Sequence, residues 1–205
     1  MTAGKYIALE GIEGAGKSTV AASLRTALAD AGRKVTMVRE PGGTGPGERI
    51  RQILLLDDID VAPWTEALLF AASRAQLARE VIAPALRRGE WVIGDRSVYS
   101  SLAYQGGGRA LGVEPVRALN VPGLIGVWPD LVMLLRVDAG TGLQRQEDPD
   151  RIGAEGRVFQ SEVAATFDKL AAAESHRFAV IDAAAPLSAV VAAVVNEIES
   201  RWSTK

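Results

Sequence analysis

The chain alternates between short, densely apolar runs and longer stretches in which apolar residues recur every third or fourth position. Residues 6–9, 35–38, 91–93, 131–137 and 178–181 are β-prone and lack in–out alternation, as expected of strands covered on both faces. Between them the period lengthens. Val20, Leu24 and Leu28 repeat every four residues, and Gly32 stands where a helix stop is expected. Ile50, Ile53 and Leu54 predict a shorter helix after the turn-rich segment 41–47. Residues 64–88 read as one long helix, kinked near its end by Pro84 and stopped by Gly89. Val158, Val163, Phe167 and Leu170 mark another helix, and residues 187–202 the last. Five strands alternating with helices specify an α/β fold, a doubly wound five-stranded parallel sheet flanked by helices. No internal repeat or linker-like stretch divides the chain, so residues 1–205 are expected to form a single domain.

Composition then narrows the chemistry. With 48% hydrophobic and 23% charged residues the chain is too apolar for disorder. Its longest apolar tract, 179–195, is broken by Asp182, Pro186 and Ser188, short of the roughly 20 clean residues of a membrane span. No secretory leader is expected either, because the apolar start at 6–9 is short and Glu10 follows at once. The absence of cysteine removes disulfides, thiolate catalysis and Cys-ligated metal centres, and points to the cytoplasm. One histidine, His176 in a polar turn, cannot build a multi-histidine metal site. Chemistry is left to carboxylates, Lys, Arg, hydroxyls, backbone amides and a borrowed metal. A net charge of −2 argues against a nucleic-acid-binding role.

The sharpest motif is Gly11-Ile12-Glu13-Gly14-Ala15-Gly16-Lys17-Ser18, which fits G-x-x-x-x-G-K-[ST] between an apolar strand and an amphipathic helix. Gly11, Gly14, Ala15 and Gly16 give a loop whose backbone N–H groups turn inward around a polyphosphate at the helix N-terminus, with Thr19 following. Lys17 would reach the β and γ phosphates, and Ser18 would offer its hydroxyl to Mg²⁺. P-loops serve motors, switches, GTPases and small-molecule kinases. A GTPase is disfavoured, since neither Asn120 nor Asn196 is followed by the lysine of a guanine-reading Asn-Lys-x-Asp stretch. The third strand delivers Asp95 and Arg96 to the sheet's carboxyl edge, where open α/β sheets bind ligands. Asp95 is placed like a Walker B acid that holds Mg²⁺, and Arg96 can grip a second phosphate.

At this point the residues carry a family likeness. Glu10-Gly11-Ile12-Glu13-Gly14, Arg39-Glu40-Pro41-Gly42-Gly43-Thr44, Leu69-Phe70-Ala71-Ala72-Ser73-Arg74, Asp95-Arg96, Ser100-Ser101-Leu102-Ala103-Tyr104-Gln105-Gly106 and Pro129-Asp130-Leu131 resemble, in order and spacing, the bacterial thymidylate kinases, which belong with the P-loop nucleoside monophosphate kinases. The resemblance implies transfer of the γ-phosphoryl group of ATP to dTMP, giving dTDP and ADP for dTTP synthesis, with Mg²⁺ as cofactor and a homodimer as the assembly. Phe70 would stack on thymine, although the apolar Leu68-Leu69-Phe70 run also suits a core. Arg74, a helical turn along, could meet the ring edge of that base. Ser101 and Gln105 resemble the residues that read the pyrimidine, and Tyr104 one that presses on the sugar where a ribose 2′-hydroxyl would lie. Glu13 would accept a hydrogen bond from the acceptor sugar or contact Mg²⁺-bound water. Arg39, Arg51 and Arg96 would clamp the acceptor phosphate, with Glu40 orienting them. The polar segment 144–157 resembles the family's lid, and because this P-loop lacks an arginine the lid would supply one, Arg151 ahead of Arg145.

Four features depart from the family's pattern: Ser97 where an aromatic is usual, Tyr99 at an often acidic position, Arg136 for a frequent Asp, and a short lid. Another nucleoside monophosphate or a deoxynucleoside as acceptor, or a partner-stimulated ATP switch, are the other readings. The Phe70–Arg74 and Ser101–Gln105 pairs favour a kinase, since a switch needs no base-reading pocket. Ala71, Ala72 and Ala75 offer a small-residue face for dimer packing.

Overall fold

A computed structural model of the chain describes residues 4–55, 60–146 and 150–202. Strands β1 (Tyr6–Glu10), β2 (Val35–Arg39), β3 (Trp91–Asp95), β4 (Leu131–Arg136) and β5 (Phe178–Asp182) form one parallel sheet in the order β2-β3-β1-β4-β5. All five are found where the apolar runs predict them. Four of them run further at the carboxyl end, by one residue to Glu10, Arg39 and Asp182 and by two to Asp95, because the ladder outlasts the hydrophobic pattern. Glu40 N–H still donates to Asp95 O, and Arg96 N–H to Leu9 O. That extension matters for the site. Asp95 is in register with both Leu9 and Arg39, so the polar ends of three adjacent strands share one edge. The chain builds β2 and β3 on one side of β1 and then crosses to β4 and β5, which opens a crevice beyond the carboxyl ends at β1.

Helix α1 (Lys17–Asp30) buries Val20, Leu24 and Leu28, the four-residue series of the sequence. At the far end of the chain α9 (Leu187–Trp202) packs beside it, and Trp202 meets Trp91 edge-to-face at 5.4 Å between ring centroids. Helix α8 (Arg157–Ala173) buries Val163, Phe167 and Leu170 against the other half of the sheet. The long helix is α3 (Pro63–Leu77), a π-helical segment Ala78–Ile82 and α4 (Ala83–Arg87), with right-handed dihedrals at every junction. Pro84 therefore leaves its mark as a widened turn just ahead of it, which gives room where the ring would meet the carbonyl of Glu80.

The remaining helices surround the crevice. Helix α2 (Gly45–Leu55) starts inside the turn-rich segment, earlier than its apolar residues indicate. Helix α5 (Val98–Ser101) passes directly into a second π-helical segment, Leu102–Gly108, followed by α6 (Val113–Leu124) and α7 (Ala139–Gln144). Among the described residues no helix is long and apolar enough to cross a membrane. His176 is exposed in the turn before β5.

Candidate active site

The loop between β1 and α1 is shaped by contacts that exclude side chains. Gly14 has φ +74°, and a Cβ there would lie 2.0 Å from the Gly142 carbonyl oxygen of α7. Gly11, at φ +144°, likewise abuts the Leu135 carbonyl of β4, 2.5 Å from where a Cβ would stand. Lys17 is buried, and its Nζ donates to the carbonyls of Ile12 (2.8 Å) and Gly11 (3.2 Å). Burial, with the nearby Arg96 guanidinium, pulls the Lys17 pKa down to about 8 against the opposing pull of Glu13, Asp95 and Glu10.

Ser18 Oγ donates to Asp95 Oδ2 at 2.5 Å, joining the start of α1 to the end of β3. This hydroxyl and carboxylate fit Mg²⁺, which takes a few hard oxygen ligands, keeps several waters and shares phosphate oxygens. No group of three or more His, Cys, Asp or Glu able to hold a metal occurs among the described residues, so an all-protein cage is not what this edge provides.

A cavity of about 380 Å³ opens here, within the range of small-molecule sites. Gly14, Gly16, Lys17, Ser18, Thr19 and Glu13 form its P-loop side, while Gly11 and Ala15 are buried outside its lining. From β3 and the helix after it come Asp95, Arg96, Ser101, Tyr104 and Gln105; from α3, Phe70 and Arg74. Arg39, Glu40 and Arg51 complete the wall, so one cavity joins the phosphate loop to all the expected acceptor residues.

Arg96 sits at φ 73°, a left-handed conformation that costs a non-glycine residue about 1–2 kcal/mol and turns its side chain back across the strand ends. Its guanidinium pairs with Glu13, donates to Ser100 Oγ at 3.1 Å and lies 4.9 Å from the centre of the Tyr104 ring. Burial works to raise the Glu13 pKa, but Arg96 and Lys17 outweigh it and hold the carboxyl below its ordinary value.

Arg74 is buried and locked: Nε donates to Glu40 Oε2 (2.6 Å), Nη1 to Asn120 Oδ1 (2.6 Å) and Nη2 to Ser97 O (3.2 Å). Burial pushes the Glu40 pKa up to about 6, with Arg74 opposing and Glu10 adding to the rise. Arg51 Nη1 donates to Pro41 O at 2.9 Å. Arg39 is exposed and paired with Glu48 at 3.0 Å, less committed to the cavity than the other arginines.

Ser101 Oγ is buried without a hydrogen-bond partner on the cavity wall, a polar atom that a ligand can satisfy. Phe70 is partly buried against the core and also faces the cavity, so the core and stacking roles coincide in one residue. Tyr104 contacts Phe159 and Phe167 edge-to-face, and burial pushes its hydroxyl pKa up.

Arg145 and Arg151, the arginines expected of a lid, lie outside the cavity lining. Arg151 donates to Leu54 O (3.0 Å) and Glu66 Oε2 (2.7 Å), whereas Arg145 donates to Ala183 O at the end of β5 (2.9 Å). Asp150 and Ile152 do line the cavity. Glu147, Asp148 and Pro149 of the expected lid lie outside the described residues.

Three supporting carboxylates and amides escape sequence reasoning. Asn120 of α6 returns its Nδ2 to Val116 O (2.8 Å) while holding Arg74. Glu10 is buried under the site and accepts from Ser97 Oγ (2.7 Å), Ser100 N (3.1 Å) and Ser100 Oγ (2.6 Å). Glu66 of α3 gathers Gln105, Arg109 and Arg151. The departures at Ser97, Tyr99 and Arg136 each have a partner: Glu10, Glu174 (2.5 Å) and Asp168 (2.7 Å). None of these disturbs the P-loop.

Comparison with known proteins agrees with this geometry. A family model described as thymidylate kinase matches residues 9–194. The chain is 47% identical over 201 residues to a thymidylate kinase of Bifidobacterium longum, covering 96% of this chain and 98% of the relative. A thymidylate kinase of Deinococcus radiodurans is 46% identical over 203 residues, covering 96% and 98% of the two chains. One from Thermosipho africanus is 42% identical over 196 residues, covering 95% and 97%. A P-loop and the expected acceptor residues in one cavity, a family match over most of the length and relatives aligned nearly end to end place the chain in the thymidylate kinase family.

Proposed function

We infer that the protein transfers the γ-phosphoryl group of ATP to dTMP, yielding ADP and dTDP, and that the residues of this one cavity carry out the transfer. The carrying observation is the continuity of the phosphate loop with a pocket that ends on Phe70, Arg74, Ser101 and Gln105. Phosphoryl transfer asks mainly for alignment and charge neutralisation. The backbone around Gly14 and Gly16 cradles the donor phosphates. Lys17 leaves the Ile12 and Gly11 carbonyls for the β and γ oxygens. Ser18 and Asp95 would hold Mg²⁺, which supplies neutralisation of the bridging phosphate charge. Arg96, with Arg51 and Arg39, grips the acceptor phosphate, and Glu13 fixes Arg96 and the acceptor sugar. Phe70 stacks on the base, Arg74 donates to its ring edge, and Tyr104 crowds the sugar. Glu40, expected to orient the clamp arginines, pairs with Arg74 instead and holds that guanidinium in place. Arg151 acts when the lid closes, exchanging Glu66 for phosphate.

The experiment is ADP release with Mg²⁺-ATP against dTMP, dUMP, UMP, dCMP, AMP, GMP, thymidine and no acceptor. Turnover with dTMP far above every other acceptor is the expected outcome. Preference for a different acceptor would overturn the base-reading residues while leaving a kinase, and acceptor-independent release would replace the kinase with an ATP switch.

We also read the assembly as a homodimer in the cytoplasm. Trp64 and Leu68 are exposed one turn apart on α3, and α6, which packs against it, exposes Val121 and, just beyond its end, Ile125. Ala75 belongs to that intrachain packing, since a Cβ on Gly123 would lie 2.7 Å from the Ala75 Cβ. Leu68→Glu is therefore expected to shift sedimentation to the monomer with the melting temperature little changed. A Leu68→Glu protein sedimenting like the wild type would remove this face from the interface.

A further inference from the structure

Glu66 lies in the first turn of α3, one turn before Phe70, with 0% of its surface exposed. Three side chains donate to its carboxylate. Gln105 Nε2 reaches Oε1 at 2.9 Å, Arg151 reaches Oε2 at 2.7 Å, and Arg109 spans both oxygens at 3.3 and 3.2 Å. Burial alone would raise the Glu66 pKa, but these donors hold it below the ordinary carboxylate value. The group therefore accepts hydrogen bonds and has none to give. A glutamine amide can turn either end toward a neighbour, and the network around it decides which. Against an ionised carboxylate only the NH₂ end fits, so the carbonyl Oε1 is the end left for a ligand. Among the described residues no hydrogen bond to that Oε1 is made.

We propose that Glu66 is a positioning residue for base selection: it locks the Gln105 amide with Oε1 facing the pyrimidine, an acceptor for the N3–H of thymine that opposes the N3 lone pair of cytosine. This rests on the reading of Gln105 as a base-contacting residue. Discrimination of this kind is strong because a mismatched base leaves two acceptors facing each other in a buried site.

Glu66→Gln tests it by reversing the lock. Arg109 and Arg151 can only donate, and both reach Oε2 while Oε1 takes from them only the longer Arg109 contact at 3.3 Å, so the new amide puts its oxygen at the Oε2 position and its NH₂ toward Gln105, giving up that longer contact. Gln105 must then flip and offer Nε2 to the base. The ratio of dCMP to dTMP dissociation constants, read by calorimetry, is expected to fall roughly 10- to 100-fold relative to wild type. Any penalty from Arg74 against the cytosine amine is common to both proteins and cancels in the comparison. Glu66→Asp, which keeps an acceptor-only group, should hold the ratio within about threefold even if both nucleotides bind more weakly. A purely structural Glu66 would weaken both nucleotides alike in Glu66→Gln, and an unchanged ratio there overturns the proposal. Gln105→Ala separates the two levels. If that variant also leaves the ratio unchanged, the base-reading role itself fails; if it moves the ratio and Glu66→Gln does not, only the role of Glu66 fails. Should Glu66→Gln not fold, the wild-type protein still decides. The Gln105 side-chain NH₂ protons, followed by NMR, should stay protected from exchange both free and with dTMP bound. Exchange at solvent rates in the dTMP complex would overturn the proposal.

Discussion

Arg96→Ala is expected to lower kcat by roughly 10³-fold or more, the range of arginines that neutralise a transferring phosphoryl group, while leaving a folded protein. The guanidinium lines the cavity between the P-loop carboxylate of Glu13 and the ring of Tyr104, and Ser100 Oγ accepts one of its hydrogens at 3.1 Å. If Arg96 grips the acceptor phosphate as proposed, its loss removes a fixed positive charge from beside the transferring group. It also leaves Glu13 largely uncompensated beside them, an error of sign as well as an absence. Arg96→Ala/Glu13→Gln should therefore recover part of the loss, although neither variant supplies the missing donor. Backbone strain can be separated from chemistry. Alanine at φ 73° keeps the left-handed cost, whereas Arg96→Gly relieves it, so the glycine variant should be about 1 kcal/mol more stable than the alanine variant and equally inactive. Turnover above a tenth of wild type in either protein would remove Arg96 from the transfer step.

The elements that build the phosphate side were legible because each announces itself locally. The P-loop spacing, the Asp95-Arg96 pair at a strand end and the four-residue repeat of α1 need no knowledge of distant contacts. The acceptor side is different. Helix α5 has a single turn, the π-helical segment Leu102–Gly108 has no 3.6-residue period to detect, and α6 contains Pro122 and Gly123 near its end. Their side chains are positioned by partners remote in sequence. Glu66 meets Arg151 across 85 residues, and Glu10 meets Ser100 across 90. A glutamate in the first turn of a helix reads from sequence as a favourable partner for the helix dipole, and nothing nearby distinguishes Glu66 from that. Asn120 is similarly silent until α3 brings Arg74 against it. Family resemblance bridges part of this gap by carrying Phe70, Arg74, Ser101 and Gln105 together, but it gives roles to residues that touch ligands and passes over those that orient them.

Lys17→Met should lower kcat/KM for ATP by roughly 10²–10³-fold, the usual cost of deleting one charge-stabilising donor, and should do so while making the free protein more stable at neutral pH. Both effects follow from one burial. Among the described residues of the free protein the ammonium has only the carbonyls of Ile12 and Gly11 as direct partners, and its burial, with Arg96 nearby, brings its pKa down to about 8. An unfolded lysine keeps its proton to about 10.4. Between those values the unfolded chain binds more protons than the folded one, so stability rises with pH through this window, and below it the buried charge remains a burden. Methionine removes that burden with a similar shape. ATP reverses the balance, since phosphate oxygens favour the charged amine. Binding at pH 9 should then take up close to one proton in the wild type and none through this group in Lys17→Met, measured by calorimetry in buffers of differing ionisation enthalpy. Equal proton uptake in the two proteins would assign the titration elsewhere. A residue that costs stability in the empty site and returns it only with nucleotide bound is selected for what it does to phosphate, which is the distinction between a P-loop lysine and a core residue that happens to follow a glycine-rich turn.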